Sequence, residues 1–156
     1  TGTVYNGFIR ALLQDDIKSM NAYMNRVALA TFSYFDSGKN PSMETQPERF
    51  YHGFVLGLAV ELADRYVITS NRESGFGRYD VMLEPKNETD NAVIMEFKVN
   101  DSQEEITLED TADAALHQIE RKQYESALRN RGIPGARIRK YGFAFQGKDV
   151  LIKGLM

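Results

Sequence analysis

With 156 residues, 42% of them hydrophobic and 26% charged, the chain has the size and composition of a single globular domain with one core. It has no cysteine, which excludes disulfides and thiolate sites, and its two histidines lie far apart in sequence, which argues against an imidazole-rich zinc site. Any metal would be held by oxygen, as magnesium, manganese or calcium prefer, and the net charge of −3 argues against an evenly basic nucleic-acid surface.

The chain starts at Thr1 and reads as a processed product or as a piece of something longer. No basic region followed by an apolar stretch marks a secretory signal there, so a cytoplasmic location is expected. Between residues 7 and 35, Phe8, Leu12, Ile17, Met20, Met24 and Val27 recur at spacings of three and four. This predicts helix, with Asp15 and Asp16 as a break between two. Residues 36–47 are turn-rich and read as a loop. A further helix is predicted from Glu48 to Arg65, with Pro47 suited to its first turn and Glu48 facing the positive end of the helix dipole. It carries the longest apolar run, Phe54 to Val60, which Gly57 interrupts and which is too short to span a bilayer. Gly53 and Gly57, one turn apart, imply close packing against that helix.

From Tyr66 the apolar period changes from helical to alternating. Strands are predicted at 66–69, 78–83 and 92–99, with turns at 71–77 and 85–91. A long helix follows from Leu108 to Arg131, started by Thr107 with Asp110 and stopped by Gly132 and Pro134. Strands 137–145 and 149–154 close the chain around a tight turn at Gln146-Gly147-Lys148. The charges are uneven, with acids crowded between Glu84 and Asp113 and bases between Arg121 and Lys140. A dipolar surface of this kind offers one face attractive to phosphate.

The strand 92–99 holds the chemistry. By the two-residue repeat, Val93, Met95, Phe97 and Val99 share one face, and Ala92, Ile94, Glu96 and Lys98 the other. A strand that is apolar on both sides and then ends in a carboxylate and an ammonium is central in a sheet, with a site at its end. On the preceding strand, antiparallel pairing brings Asp80 towards Glu96. Two carboxylates at that range repel unless a proton or a cation lies between them. A Glu-x-Lys triplet alone is weak evidence, since such neighbours on a strand are commonly a solvated pair.

An Asp on one strand, Glu-x-Lys on the next, then a helix and further strands resembles the PD-(D/E)xK nuclease superfamily. Three features narrow the resemblance: Glu48 on an upstream helix, the run from Glu73 to Asp80, and the later helix Ala114-Ala115-Leu116-His117-Gln118-Ile119-Glu120-Arg121-Lys122-Gln123-Tyr124. Together they are similar to a bacterial subgroup in which such a domain follows an AAA-type ATPase-like domain. The match runs from Glu48 to the C-terminus, and Tyr79 stands where the superfamily name has proline. It implies an α/β, restriction-endonuclease-like core with a central mixed five-stranded sheet flanked by helices, over residues 47–156. Residues 1–40 would be a helical extension, the end of an upstream ATPase-like region of the same longer chain. No Walker A pattern is present, so ATP hydrolysis by these residues is not expected.

The resemblance also implies a reaction, the metal-dependent hydrolysis of phosphodiester bonds of DNA. Asp80 and Glu96, with the backbone carbonyl of Phe97, would ligate Mg²⁺ or Mn²⁺, and Glu48 would help hold it. Lys98 would orient or help deprotonate the attacking water, and Gln118 and Tyr124 would contact substrate or Lys98 from the helix. Other readings stay open. Glu48 serves equally as a dipole partner and Gln118 as a solvent-facing residue, Tyr124 is more simply packing, and His52 more simply makes a structural hydrogen bond. Arg137, Arg139 and Lys140 form either a phosphate-binding edge or the charged border of a strand. Two rival functions remain beside the nuclease: a catalytically silent nuclease-fold module partnering an AAA-type ATPase, and a sensor of small nucleotides. The oligomeric state is not legible.

Overall fold

The structure is a computed structural model that describes residues 4–36, 47–73 and 78–155, with the side chains of 32–36, 47–48, 72–73 and 78 outside the description. Helices α1 (Gly7–Leu13) and α2 (Ile17–Asp36) are separated at Asp15, whose backbone is left-handed with φ 54°. Helix α3 (Pro47–Ala59) tightens into a 3-10 turn at Val60–Leu62 and leads to strands β1 (Tyr66–Glu73), β2 (Arg78–Pro85) and β3 (Ala92–Val99). Helices α4 (Leu108–Arg121) and α5 (Tyr124–Asn130) then cross to β4 (Ile138–Gln146) and β5 (Asp149–Leu155). The five-stranded sheet has the order β1-β2-β3-β4-β5. Every neighbouring pair is antiparallel except β3 and β4, which run parallel and need the helical crossover between them. This is the mixed α/β arrangement that the sequence predicts.

One face of the sheet is apolar from edge to edge. Tyr79, Val81 and Leu83 of β2, Val93, Met95 and Phe97 of β3, and Tyr141, Phe143 and Phe145 of β4 meet α1, α2 and α3 there. Tyr51 of α3 stacks on Phe145 with centroids 4.4 Å apart, and Phe97 lies 4.6 Å from Phe143. Burial of each such ring contributes about 1.5–3 kcal/mol. Helix α2 also closes an edge. The Asn21 amide donates to Ile152 O at 2.9 Å and accepts from Ile152 N at 2.8 Å, and Asn25 does the same with Val150 at 2.8 and 3.1 Å. Two side-chain amides thus fill hydrogen bonds that a sixth strand would otherwise take up on β5.

The other face carries α4 and α5 over a smaller cluster that includes Ile94, Leu116, Ile119, Leu128 and Ile138. Thr107 and Asp110 cap α4 reciprocally, as predicted. The helix comes so close to β4 that a Cβ at Gly142 would lie 2.5 Å from the Ala112 carbonyl oxygen, so only glycine fits there. Gly142 is the register partner of Glu96.

Three expectations are corrected. The strand predicted at 66–69 runs on to Glu73, because it pairs with β2 along its whole length, so the turn predicted at 71–77 is strand over its first three residues; residues 74–77 of that turn and 37–46 of the predicted loop lie outside the described residues. The predicted helix 108–131 is broken at Lys122–Gln123, where Gln123 takes a left-handed backbone of φ 58°, a turn that no glycine or proline advertises. Among the described residues nothing lies within 4 Å of a Cβ added at Gly53 or Gly57, because α3 packs through Tyr51, Val55 and Ala59 and turns its glycines outwards. Among the described residues no helix is long and apolar enough to cross a membrane.

Candidate active site

The β2–β3 hairpin sets Asp80 directly opposite Glu96. Alternation along the strands turns both away from the aromatic core, towards α4 and α5. Asp80 is 2% exposed and Glu96 fully buried. Facing residues on adjacent antiparallel strands have Cβ atoms about 4.5–5.5 Å apart, so the two carboxylates compete for the same small volume. Buried together, they need positive charge or a proton.

The surroundings supply donors. Asp80 Oδ1 accepts from the Asn71 backbone amide at 3.1 Å and from Asn71 Nδ2 at 3.2 Å. Asp80 Oδ2 accepts from the Tyr124 hydroxyl. The Lys122 ammonium bridges the pair, 3.5 Å from Asp80 Oδ2 and 3.3 Å from Glu96 Oε1. The helix break explains how both residues of α5's entrance arrive there. In an unbroken helix residues 122 and 124 point about 200° apart, and the left-handed turn at Gln123 brings them to one carboxylate. Lys122 is absent from the sequence prediction, and Tyr124 reads there more simply as packing. The Gln118–Lys122–Tyr124 spacing is a signal in the sequence, but an unbroken helix turns Tyr124 away from the face that Gln118 and Lys122 share.

Lys98 lies on the same face as Glu96, two residues along β3. Its ammonium is 2.6 Å from Glu105 Oε2 and 3.4 Å from the Val99 carbonyl oxygen. Glu105, also missed in the sequence, belongs to the loop between β3 and α4 and is buried there. Its other oxygen accepts from the Asp101 amide at 2.8 Å and the Thr111 hydroxyl at 3.0 Å. Burial alone would raise the Glu105 pKa, but the Asp101 amide, Lys98 and Thr111 together outweigh it and hold the group below its ordinary value.

The remaining predicted residues are spread more widely. Gln118 is buried on α4, the helix above the carboxylate face. The side chain of Glu48 falls outside the described residues. His52 lies across the sheet from Asp80, stacked on Tyr79 at 4.5 Å and 2.6 Å from Ser70 Oγ. Burial lowers its pKa against the opposing pull of Asp80. The basic residues at the start of β4 have internal partners. Arg139 pairs with Asp15 at 2.9 Å, Lys140 with Glu120 at 2.6 Å, and Arg137 donates to the Asp90 carbonyl oxygen at 2.6 Å.

The donor set suits a hard cation. Asp80 and Glu96 offer oxygens from adjacent strands in a buried site, and Mg²⁺ is commonly held by one or two carboxylates together with water and substrate phosphates. Among the described residues no third His, Cys, Asp or Glu joins them into a larger ligand cluster.

Comparison with curated proteins gives no match. The sequence pattern of the PD-(D/E)XK nuclease superfamily matches residues 46–154, the span that holds α3, α4, α5 and the sheet up to the last residue of β5. The match covers well over half of the chain, and this chain belongs to the PD-(D/E)XK nuclease superfamily.

Proposed function

We propose that the chain is a metal-dependent nuclease that hydrolyses phosphodiester bonds of DNA, with its chemistry centred on Asp80 and Glu96. The observation that carries this reading is the facing of two buried carboxylates across β2 and β3, in a chain of a nuclease superfamily. Asp80 and Glu96, with the Phe97 carbonyl and assistance from Glu48, would hold Mg²⁺ or Mn²⁺. Once bound, such an ion polarises the scissile phosphate and makes a bound water more acidic.

The chain's own groups have distinct tasks in this reading. Asn71 and the Tyr124 hydroxyl fix the rotamer of Asp80, with Oδ1 held towards β1 and Oδ2 left as the oxygen that shares Lys122 with Glu96. Lys98, steadied by Glu105, orients the attacking water and offsets negative charge developing at the phosphate. Gln118 contacts the substrate from α4. The upstream ATPase-like region of a longer chain, with residues 1–40 as its end, and a bacterial, cytoplasmic setting belong to this same proposal.

A second reading draws on one observation. The Lys98 ammonium rests on Glu105, while the Lys122 ammonium rests on the carboxylate pair. A catalytically silent module partnering an AAA-type ATPase would tolerate that arrangement indefinitely. Cleavage assays on single-stranded, double-stranded and branched DNA and on RNA, with Mg²⁺ or Mn²⁺, separate the two. In the nuclease reading Asp80→Ala and Lys98→Ala each lower cleavage by about a hundredfold or more while the fold is kept. Cleavage by Asp80→Ala at the wild-type rate removes Asp80 from the chemistry, and no cleavage of any of these substrates by wild type removes the nuclease reading.

A further inference from the structure

The family resemblance gives Lys122 no role, yet its ammonium stands between the two carboxylates, 3.3 Å from Glu96 Oε1 and 3.5 Å from Asp80 Oδ2. Its side chain is 15% exposed, so this contact is largely withdrawn from water and weakly screened. One ammonium offsets one of the two negative charges. A divalent ion bound to the same two residues would offset both, and would be a close neighbour of that ammonium with charge of the same sign. The two cations therefore compete for one position. Two more ammonium groups on this face, Lys98 and Lys140, are committed elsewhere, 2.6 Å from Glu105 and 2.6 Å from Glu120 respectively.

We propose that Lys122 is an internal cation of this site: its ammonium stands in for the divalent ion between Asp80 and Glu96, holds the pair together before metal arrives, and gives way when metal binds. The inference rests on the metal-binding reading of the carboxylate pair. The backbone supports it independently. Helix α4 stops at Arg121, and Gln123 takes a left-handed conformation that a residue with a Cβ adopts only at a cost. The turn so made delivers Lys122 and Tyr124 together to Asp80. As a positioning residue, Lys122 keeps two like charges in register and ready, and it makes metal occupancy depend on displacing a tethered competitor.

The test measures Mn²⁺ affinity by calorimetry on the whole chain, comparing wild type with Lys122→Met, which keeps all but the terminal atom of the side chain's length and removes its charge, and with Lys122→Arg. Removing a tethered competitor is expected to tighten Mn²⁺ binding by about tenfold or more and to lower the melting temperature in chelator, with Lys122→Arg close to wild type. A purely structural Lys122 would not tighten metal binding. Equal or weaker Mn²⁺ binding by Lys122→Met, with wild type binding normally, overturns the proposal and leaves the metal-site reading intact. Absence of Mn²⁺ binding in both proteins removes that reading and the proposal with it. Should Lys122→Met fail to fold, reductive methylation of wild type followed by mass spectrometry decides the matter. Mn²⁺ is expected to expose the Lys122 amine and raise its labelling, and unchanged or reduced labelling overturns the proposal.

Discussion

On the side of the sheet under α1, α2 and α3, Phe97 packs against Phe143 and Phe145, and Tyr51 stacks on Phe145. One residue before Phe97 on β3, the opposite side of the sheet holds Glu96, facing Asp80, with Lys122 between them. The first side has little left to gain, since its groups are buried among groups like themselves. The second keeps two like charges at close quarters and depends on a lysine from a broken helix. In the proposed reading, stability and chemistry are thus divided between the faces of a single strand, as expected where a site is held at some expense to the fold.

That division can be broken or sharpened by substitution. The largest effect is expected from Phe97→Ala, which empties the centre of the aromatic face and should cost about 3–5 kcal/mol in chemical denaturation. A loss below about 1 kcal/mol would mean that this face is not the main source of stability. A smaller loss, about 2 kcal/mol, is expected from Glu105→Gln, which leaves the buried Lys98 ammonium without its charged partner. This loss should depend on pH. The folded-state pKa of Glu105 lies below its ordinary 4.5, so its contribution is fully present above that value and disappears as pH falls through the folded-state pKa. Urea titrations of both proteins from neutral pH downward should converge at the acid end, and a gap that persists there would count against the ion pair. The smallest effect has the opposite sign. Glu96→Gln removes one of the two facing charges and leaves Asp80 matched with Lys122, so in chelator it is expected to raise stability by about 1 kcal/mol while abolishing Mn²⁺ binding. A clear fall in its melting temperature would place Glu96 among the structural residues instead.

Much of this contrast is legible in the sequence. Strand β3 has the predicted ends, and its alternation assigns Val93, Met95 and Phe97 to the core side. The facing of Asp80 and Glu96 follows from hairpin arithmetic, since the two lie equally far on either side of Glu88 in the turn. What escapes is whatever depends on a single backbone torsion or on contacts distant in sequence. Lys122 reaches the carboxylates only because Gln123 is left-handed, and glutamine carries no signal for that conformation. Glu105 reads as one more acid in an acidic loop until the chain folds it under Thr111. The paired glycines of α3 mislead in the opposite way. Small residues one turn apart imply contact, but whether a face is covered is decided by the rest of the fold.

The asparagines of α2 carry a further consequence. By occupying the backbone groups of Val150 and Ile152, Asn21 and Asn25 make the last strand unreceptive to recruitment by another chain. A polypeptide trimmed to the family's matched span would keep every strand and both carboxylates and would lose this shield. Its outer strand would then be an adhesive border, open to joining foreign strands, and self-association of such a shortened form would reflect the trimming rather than the assembly habits of the longer protein.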